Sequence, residues 1–323
     1  MRVVVTGAAG FIGSNLVDRL IREGHQVIGV DNFSMGRAEN LAHHAEQPNF
    51  SLVEADVTLH HAFDSLPDSV DRVVHLAAFK IPRYGNAIDT LRVNYEGTHN
   101  TLEYARRVGC KTVLASTSDI YGRNPAVPFS EDGTDSVIGS SKSPRWSYAV
   151  SKLFDEHLAL AYMDAYGFPV TLLRFFGGYG PRQHRGWWGG PQSVFIEQIL
   201  DNKPVTIHGT GQQTRTFTYV DDTVEGIYQS LISGAADGEI FNIGSDEEIT
   251  ILGLAKMIHR LIEGDSDPQI DFVSYESFSD KPYEDVMRRV PDTTKIRETL
   301  GVKAQVPLEE GLTRTIAWQR STR

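Results

Sequence analysis

Short apolar runs recur along the first half of the chain, separated by longer stretches that read as helices. The runs at 2–6 (RVVVT), 26–30 (QVIGV), 50–54 (FSLVE), 72–76 (RVVHL), 112–116 (TVLAS) and 170–176 (VTLLRFF) are dense in Val, Ile and Leu and mostly lack polar–apolar alternation. That is the pattern of parallel strands covered on both faces. Between the first two lies SNLVDRLIREG (14–24), a helix-like stretch closed by Gly24. Strand, helix and strand in succession predict an α/β fold with a Rossmann-type doubly wound parallel sheet.

After about residue 180 the pattern changes. Residues 180–192 (GPRQHRGWWGGPQ) are dense in Gly, Pro and Trp and predict a loop. Beyond it, short strands (VTIHG, 205–209; EIFNIG, 239–244) mix with helices (251–264 and 308–320). We expect a cofactor-binding domain over 1–180 and a smaller mixed α/β substrate-binding lobe over 181–323. Residues 215–245 are expected to pack back onto the first.

Composition narrows the function classes. A chain of 323 residues suggests one large or two moderate domains. The net charge of −11 argues against nucleic acid as a partner, so an anionic ligand needs a local site. Cys110 is the one cysteine, which excludes an intrachain disulfide and fits a reducing compartment. No apolar run approaches the roughly 20 residues of a membrane span. Met1 and Arg2 lead straight into a strand-like run, and the expectation is a soluble cytoplasmic protein. His43-His44 and His60-His61 are adjacent pairs whose rings are expected to point apart, so no metal site is expected.

Two stretches carry candidate chemistry. VTGAAGFIGSNL, from Val5, sets Gly7, Gly10 and Gly13 between a strand and a helix. Glycines let backbone approach a pyrophosphate, and the N–H groups of the helix start, around Phe11 and Ile12, can bind it. Asp31 ends the next strand, beside Asn32. Its carboxylate can accept both ribose hydroxyls and would repel a 2′-phosphate, which predicts NAD over NADP; Arg37, nearby, works against that preference. Asp56 and Val57, after the third strand, are expected to flank the adenine. The second stretch is YAVSK (148–152), with Tyr148 and Lys152 on one helical face. A strand ends at Ser116, Thr117, Ser118 and Asp119, the edge where open α/β sheets bind ligands. Together these describe proton-coupled hydride transfer: Tyr148 takes a hydroxyl proton, Thr117 bridges, and Lys152 lowers the phenol pKa and holds the nicotinamide ribose.

These motifs, with HLAA (75–78), STSDIYG (116–122), RFFGGYGPRQ (174–183), RTFTYVDD (215–222), FNIG (241–244) and RRVPD (288–292), resemble the extended short-chain dehydrogenases/reductases. That family comprises nucleotide-sugar epimerases, dehydratases and decarboxylases. The resemblance implies a nucleoside diphosphate–sugar substrate and an NAD reduced and reoxidised in each turnover. It also implies cofactor contacts from Leu76, Ala77, Ala78 and Lys80, and a homodimer formed through helices at about 88–107 and 146–166.

The resemblance leaves the reaction open among steps that follow oxidation at C4. The 4,6-dehydratases carry Thr-Asp-Glu where this chain has Thr117-Ser118-Asp119, so dehydration is disfavoured. Uronate decarboxylases carry Thr-Ser-Glu, one methylene from this triplet, and a functional arginine at the place of Arg289. Lys80 stands where many 4-epimerases hold a cofactor-contacting lysine. The motifs put 4-epimerisation first and uronate decarboxylation close behind. Arg215 and Arg289, with Arg182, are expected on the diphosphate, Val205 and Ile207 beside the nucleobase, and Ser118 on the sugar. The family's substrate-binding Asn is replaced by Gly177, which predicts a roomier pocket and a bulkier sugar. Trp187 and Trp188 are expected either to cover that pocket or to pack the lobes together.

Overall fold

The computed structural model describes residues 1–80, 86–275 and 285–323. The first half runs β1 (Arg2–Thr6), α1 (Phe11–Arg22), β2 (Gln26–Asp31), β3 (Phe50–Glu54), β4 (Arg72–His75), α2 (Ala87–Val108), β5 (Lys111–Thr117), α3 (Trp146–Tyr166) and β6 (Val170–Phe175). The second half runs β7 (Gly178–Tyr179), α4 (Pro191–Leu200), β8 (Val205–His208), β9 (Thr214–Thr216), β10 (Thr218–Tyr219), α5 (Val220–Ile232), β11 (Ile240–Ile243), β12 (Glu248–Thr250), α6 (Ile251–Glu263), β13 (Ile270–Val273), β14 (Arg288–Arg289), α7 (Thr294–Leu300) and α8 (Leu308–Ser321).

Seven strands form one sheet in the order β11-β6-β5-β4-β1-β2-β3, every neighbouring pair parallel. The chain direction across the sheet reverses between β1 and β4, the crevice where doubly wound sheets bind ligands. Alternate residues feed two cores, which is why the strand sequences do not alternate. Val3 and Val5 of β1 join Leu16, Val17 and Leu20 of α1 and Ile227 and Leu231 of α5. Val4 joins Leu102 and Ala105 of α2 and Ala159 of α3 on the other face. β3 departs from this expectation: Ser51, Leu52 and Glu54 are exposed, because it is the last strand and has one neighbour.

The remaining strands make three small sheets, β12-β9-β14, β13-β8 and β10-β7. The loop predicted over 180–192 ends earlier, because Pro191 starts α4. Among the described residues no helix is long and apolar enough to cross a membrane.

Candidate active site

The first turn after β1 is built by steric exclusion. Gly7 has φ +67°, and a Cβ there would stand 2.8 Å from the Ala77 backbone nitrogen. A Cβ at Gly13 would stand 2.0 Å from the Gly7 carbonyl oxygen, so only glycine lets α1 approach this loop. Gly10 caps α1 without a side-chain bond, leaving the first-turn N–H groups at Phe11, Ile12 and Gly13 for a ligand. Asp31, buried at the end of β2, accepts from the amides of Ala9 (2.9 Å) and Phe33 (2.8 Å). Burial raises its carboxyl above the usual range against those two bonds. The bonds fix the carboxylate where a ribose would sit. Asp56 is held below its usual range: burial pushes it up, but the Thr58 amide and hydroxyl, Asn32 and Arg92 outweigh that.

A cavity of about 900 Å³ runs from Asp31, Asn32, Asp56 and Val57, past Gly7 to Gly13 and Leu76 to Ala78, to Tyr148 and Lys152. Lys80 and Arg182 also line it. Its length, acid-lined end and glycine-lined waist fit a dinucleotide with free ribose hydroxyls.

At the inner end, Thr117 shares a hydrogen bond with the Tyr148 phenol and accepts from the Asp119 amide at 3.2 Å. The expected lowering of the phenol by Lys152 is not what this arrangement produces. Tyr148 is raised, by burial first and then by the Asp119 and Asp155 charges. The Lys152 ammonium is instead engaged by Asp155, 3.2 Å away. Asp119 pairs with Arg289 in a close contact, with Arg145 at 3.9 Å. Burial would raise Asp119, but Arg289, then Arg145, Lys80 and Arg215, hold it below the usual range. Arg289 is thus beside the reacting end. Arg215 bonds Asp285 at 2.9 Å.

The family model described as GDP-mannose 4,6 dehydratase matches residues 4–315. The chain belongs to this family. It is 37% identical over 321 residues to a UDP-N-acetyl-alpha-D-glucosaminuronate decarboxylase of Bacillus cytotoxicus, covering 99% of this chain and 98% of the relative. It is 39% identical to UDP-glucuronic acid decarboxylase 1 of Xenopus tropicalis, covering 99% of this chain and 72% of the relative. A crystal structure of UDP-glucuronic acid 4-epimerase from Bacillus cereus, in complex with UDP-glucuronic acid and NAD, superposes with a TM-score of 0.86 at 30% identity, covering 100% of both chains. The extended short-chain dehydrogenase/reductase fold read from the motifs is the fold observed, and the chain is a nucleotide-sugar enzyme of that superfamily.

Within this family the structure corrects several residue expectations. Gly177 does not enlarge the pocket. It has φ +55°, and a Cβ there would stand 2.1 Å from the Thr216 carbonyl oxygen, so the glycine serves the β6–β7 turn. Val205 and Ile207 are 1% and 0% exposed and point into the core, so their side chains cannot touch a nucleobase. Ser118 is buried. Arg182 turns to Asp18 on α1, at 2.7 Å, and lines the cavity. His43 and His44 do not point apart: both Nε2 atoms meet Asp18 Oδ1, at 2.8 and 2.7 Å. Arg182 holds the other oxygen, so three donors satisfy one carboxylate. The two tryptophans part company. Trp187 packs against the core and lies over His208, while Trp188 lines the cavity edge-on to Phe79, with centroids 5.6 Å apart.

Sequence reasoning missed Arg145, Asp155 and Glu156. Glu156 accepts from Ser116 (2.5 Å) and from Arg174 (3.0 and 2.7 Å), and Arg174 donates to Tyr121, which donates to Asn242. This buried chain ties the end of β5 to α3, β6 and β11. The signal was present: Asp155 and Glu156 fall one turn beyond Lys152, on the face that must be buried for Lys152 to be buried.

Proposed function

We propose that the protein is an NAD-dependent nucleoside-diphosphate-uronate decarboxylase working through a 4-keto sugar. The observation that carries this reading is the charge around Asp119. Arg289, Arg145 and Lys80 face one carboxylate beside Tyr148 and Thr117. Three cations gathered at the reacting end suit a substrate whose sugar carries a carboxylate, as a uronate does and a neutral hexose does not. The motifs alone put epimerisation first; relatives whose names specify uronate decarboxylases support the other order.

Bound NAD supplies a hydride acceptor, and later a donor, for C4 of the sugar. Tyr148 takes the C4 hydroxyl proton, with Thr117 bonded to both phenol and substrate. Once C4 is a ketone, C5 lies between two electron-withdrawing carbons and the C5–C6 bond breaks with loss of CO₂. The electron pair moves to the C4 oxygen, where the Tyr148 phenol stabilises it. Arg289 and Asp119 stand at this end of the site and position the water that gives C5 its proton. Lys152 and Asp31 orient the two riboses of the cofactor.

A product-mass measurement tests this. The purified protein is incubated with NAD and a panel of nucleotide sugars that includes uronates. We expect a product lighter by CO₂ from a uronate. An isomer of unchanged mass would establish the second reading, a 4-epimerase, which Lys80 and the likeness to the UDP-glucuronic acid 4-epimerase support. We also infer a homodimer built through α2 and α3.

A further inference from the structure

The interior behind Lys152 holds a charge that the reaction described above does not use. Asp155 is 3% exposed and Lys152 2% exposed, and their carboxylate and ammonium lie 3.2 Å apart on one face of α3. A carboxylate in such a place is expensive to desolvate and persists only where it is paired. The pairing has a consequence for Tyr148, one turn before Lys152. An ammonium bonded to a carboxylate presents a dipole to the phenol instead of a full charge, and the field of a dipole falls off faster with distance.

We propose that Asp155 is a positioning residue that anchors the Lys152 ammonium at the cofactor ribose and cancels most of the charge it would otherwise present to Tyr148. This rests on the reading of Tyr148 as the base. Its direction agrees with the raised phenol, to which Asp155 contributes after burial and Asp119. The other charged or titratable groups around the pair are accounted for. On β4, His75 is fully buried, is pushed down to about 3 by burial and the Lys152 charge, and bonds Thr6 and Thr101. On α2, the Thr98 hydroxyl faces Asp155 and carries no charge. On α3 and β6, Glu156 is tied to Arg174. At the end of β5, Asp119 acts on Tyr148 from the side opposite Asp155 in sequence and is itself paired with Arg289. Asp155 is therefore the buried carboxylate bonded to the Lys152 ammonium, and removing its charge unmasks that ammonium.

The test is Asp155→Asn, which keeps shape and removes charge, read by the ¹³Cζ signal of Tyr148 in tyrosine-labelled protein and assigned by its loss in Tyr148→Phe. We expect the phenol midpoint to fall by about one pH unit or more, as for a phenol gaining an unscreened cation in a buried site. With an active substrate, the acid limb of the kcat profile moves to lower pH by the same amount. If Asn at 155 does not fold, Asp155→Ser removes the same charge in a smaller side chain and is read the same way. A folded variant with an unchanged Tyr148 midpoint would overturn the proposal and leave Asp155 a packing residue. Because the signal is read without turnover, failure of the uronate reading leaves this outcome legible.

Discussion

Tyr148 carries the most direct test at the scale of single residues. Tyr148→Phe removes the proton acceptor and leaves the cavity shape intact. NAD affinity, followed by fluorescence titration, should stay within about twofold, while kcat falls by about 10³-fold, the range of a lost general base. Retained turnover would remove Tyr148 from the chemistry. His75 offers a test of stability. Its folded-state pKa, about 3, lies below the ordinary 6.5. As pH falls below 6.5 the unfolded chain takes a proton that the native protein cannot, so stability is lost with acidification and the loss levels off near pH 3. Between pH 7 and 4.5 this amounts to about 2–3 kcal/mol. In urea unfolding at both pH values, His75→Asn should show a correspondingly shallower loss than wild type, and parallel losses would refute the assignment. At this scale the sequence was most legible where chemistry is local: Tyr148 and Lys152 are four apart on one helix, and Gly7, Gly10 and Gly13 sit in one turn. It was least legible where partners come from afar. Arg289 reaches Asp119 across 170 positions, and no spacing rule anticipates that pair.

Elements show where reading by motif gave the wrong physical reason. Gly177 occupies the turn between β6 and β7, where the backbone is left-handed and the Thr216 carbonyl blocks a side chain. Gly177→Asn should therefore act on stability. Asn tolerates the φ value, but its Cβ must displace the Thr216 carbonyl, at about 1–3 kcal/mol and a lowered Tm. A variant of unchanged Tm with altered sugar preference would restore the pocket reading. The same lesson holds for β8. Val205 and Ile207 look like candidate contacts because VTIHG aligns with a ligand-lining strand, yet alternation sends both side chains inward. Five of the six early strands were visible because a strand covered on both faces reads as an unbroken apolar run; the edge strand β3 is exposed at Ser51, Leu52 and Glu54. β9, β12 and β14 are two or three residues long, below what any periodicity can register.

At the scale of the whole molecule, α2 and α3 leave an apolar surface uncovered. On α2, Ile88, Leu91 and Tyr95 face solvent, and on the neighbouring α3 so do Val150, Phe154 and Tyr166. Tyr95 is 43% and Phe154 50% exposed, their rings meet edge-on at 5.6 Å, and Tyr95 stacks on His99. Scattered exposed apolar residues need no explanation, but a contiguous aromatic patch on two long, neighbouring parallel helices is the mark of an interface. The resemblance implied a homodimer through these two helices. In the structure the sheet-facing side is filled by Leu102, Ala105 and Ala159, so the outer stripe is surplus to the core. A second copy is the partner we propose for it, since a two-fold axis through the patch would bring together two helices of each chain. Against a chain mass of 35.9 kDa, sedimentation velocity should give a species of twice that mass. Phe154→Glu places a carboxylate at the centre of the patch and should return the protein to the monomer with a folded CD spectrum. The helices that carry the patch also carry Tyr148, Lys152 and Asn94, which bonds Ser151 between them at 2.9 Å. Loss of the dimer should therefore lower Tm and weaken turnover together; a wild-type protein that sediments as a monomer at micromolar concentration would refute this interface.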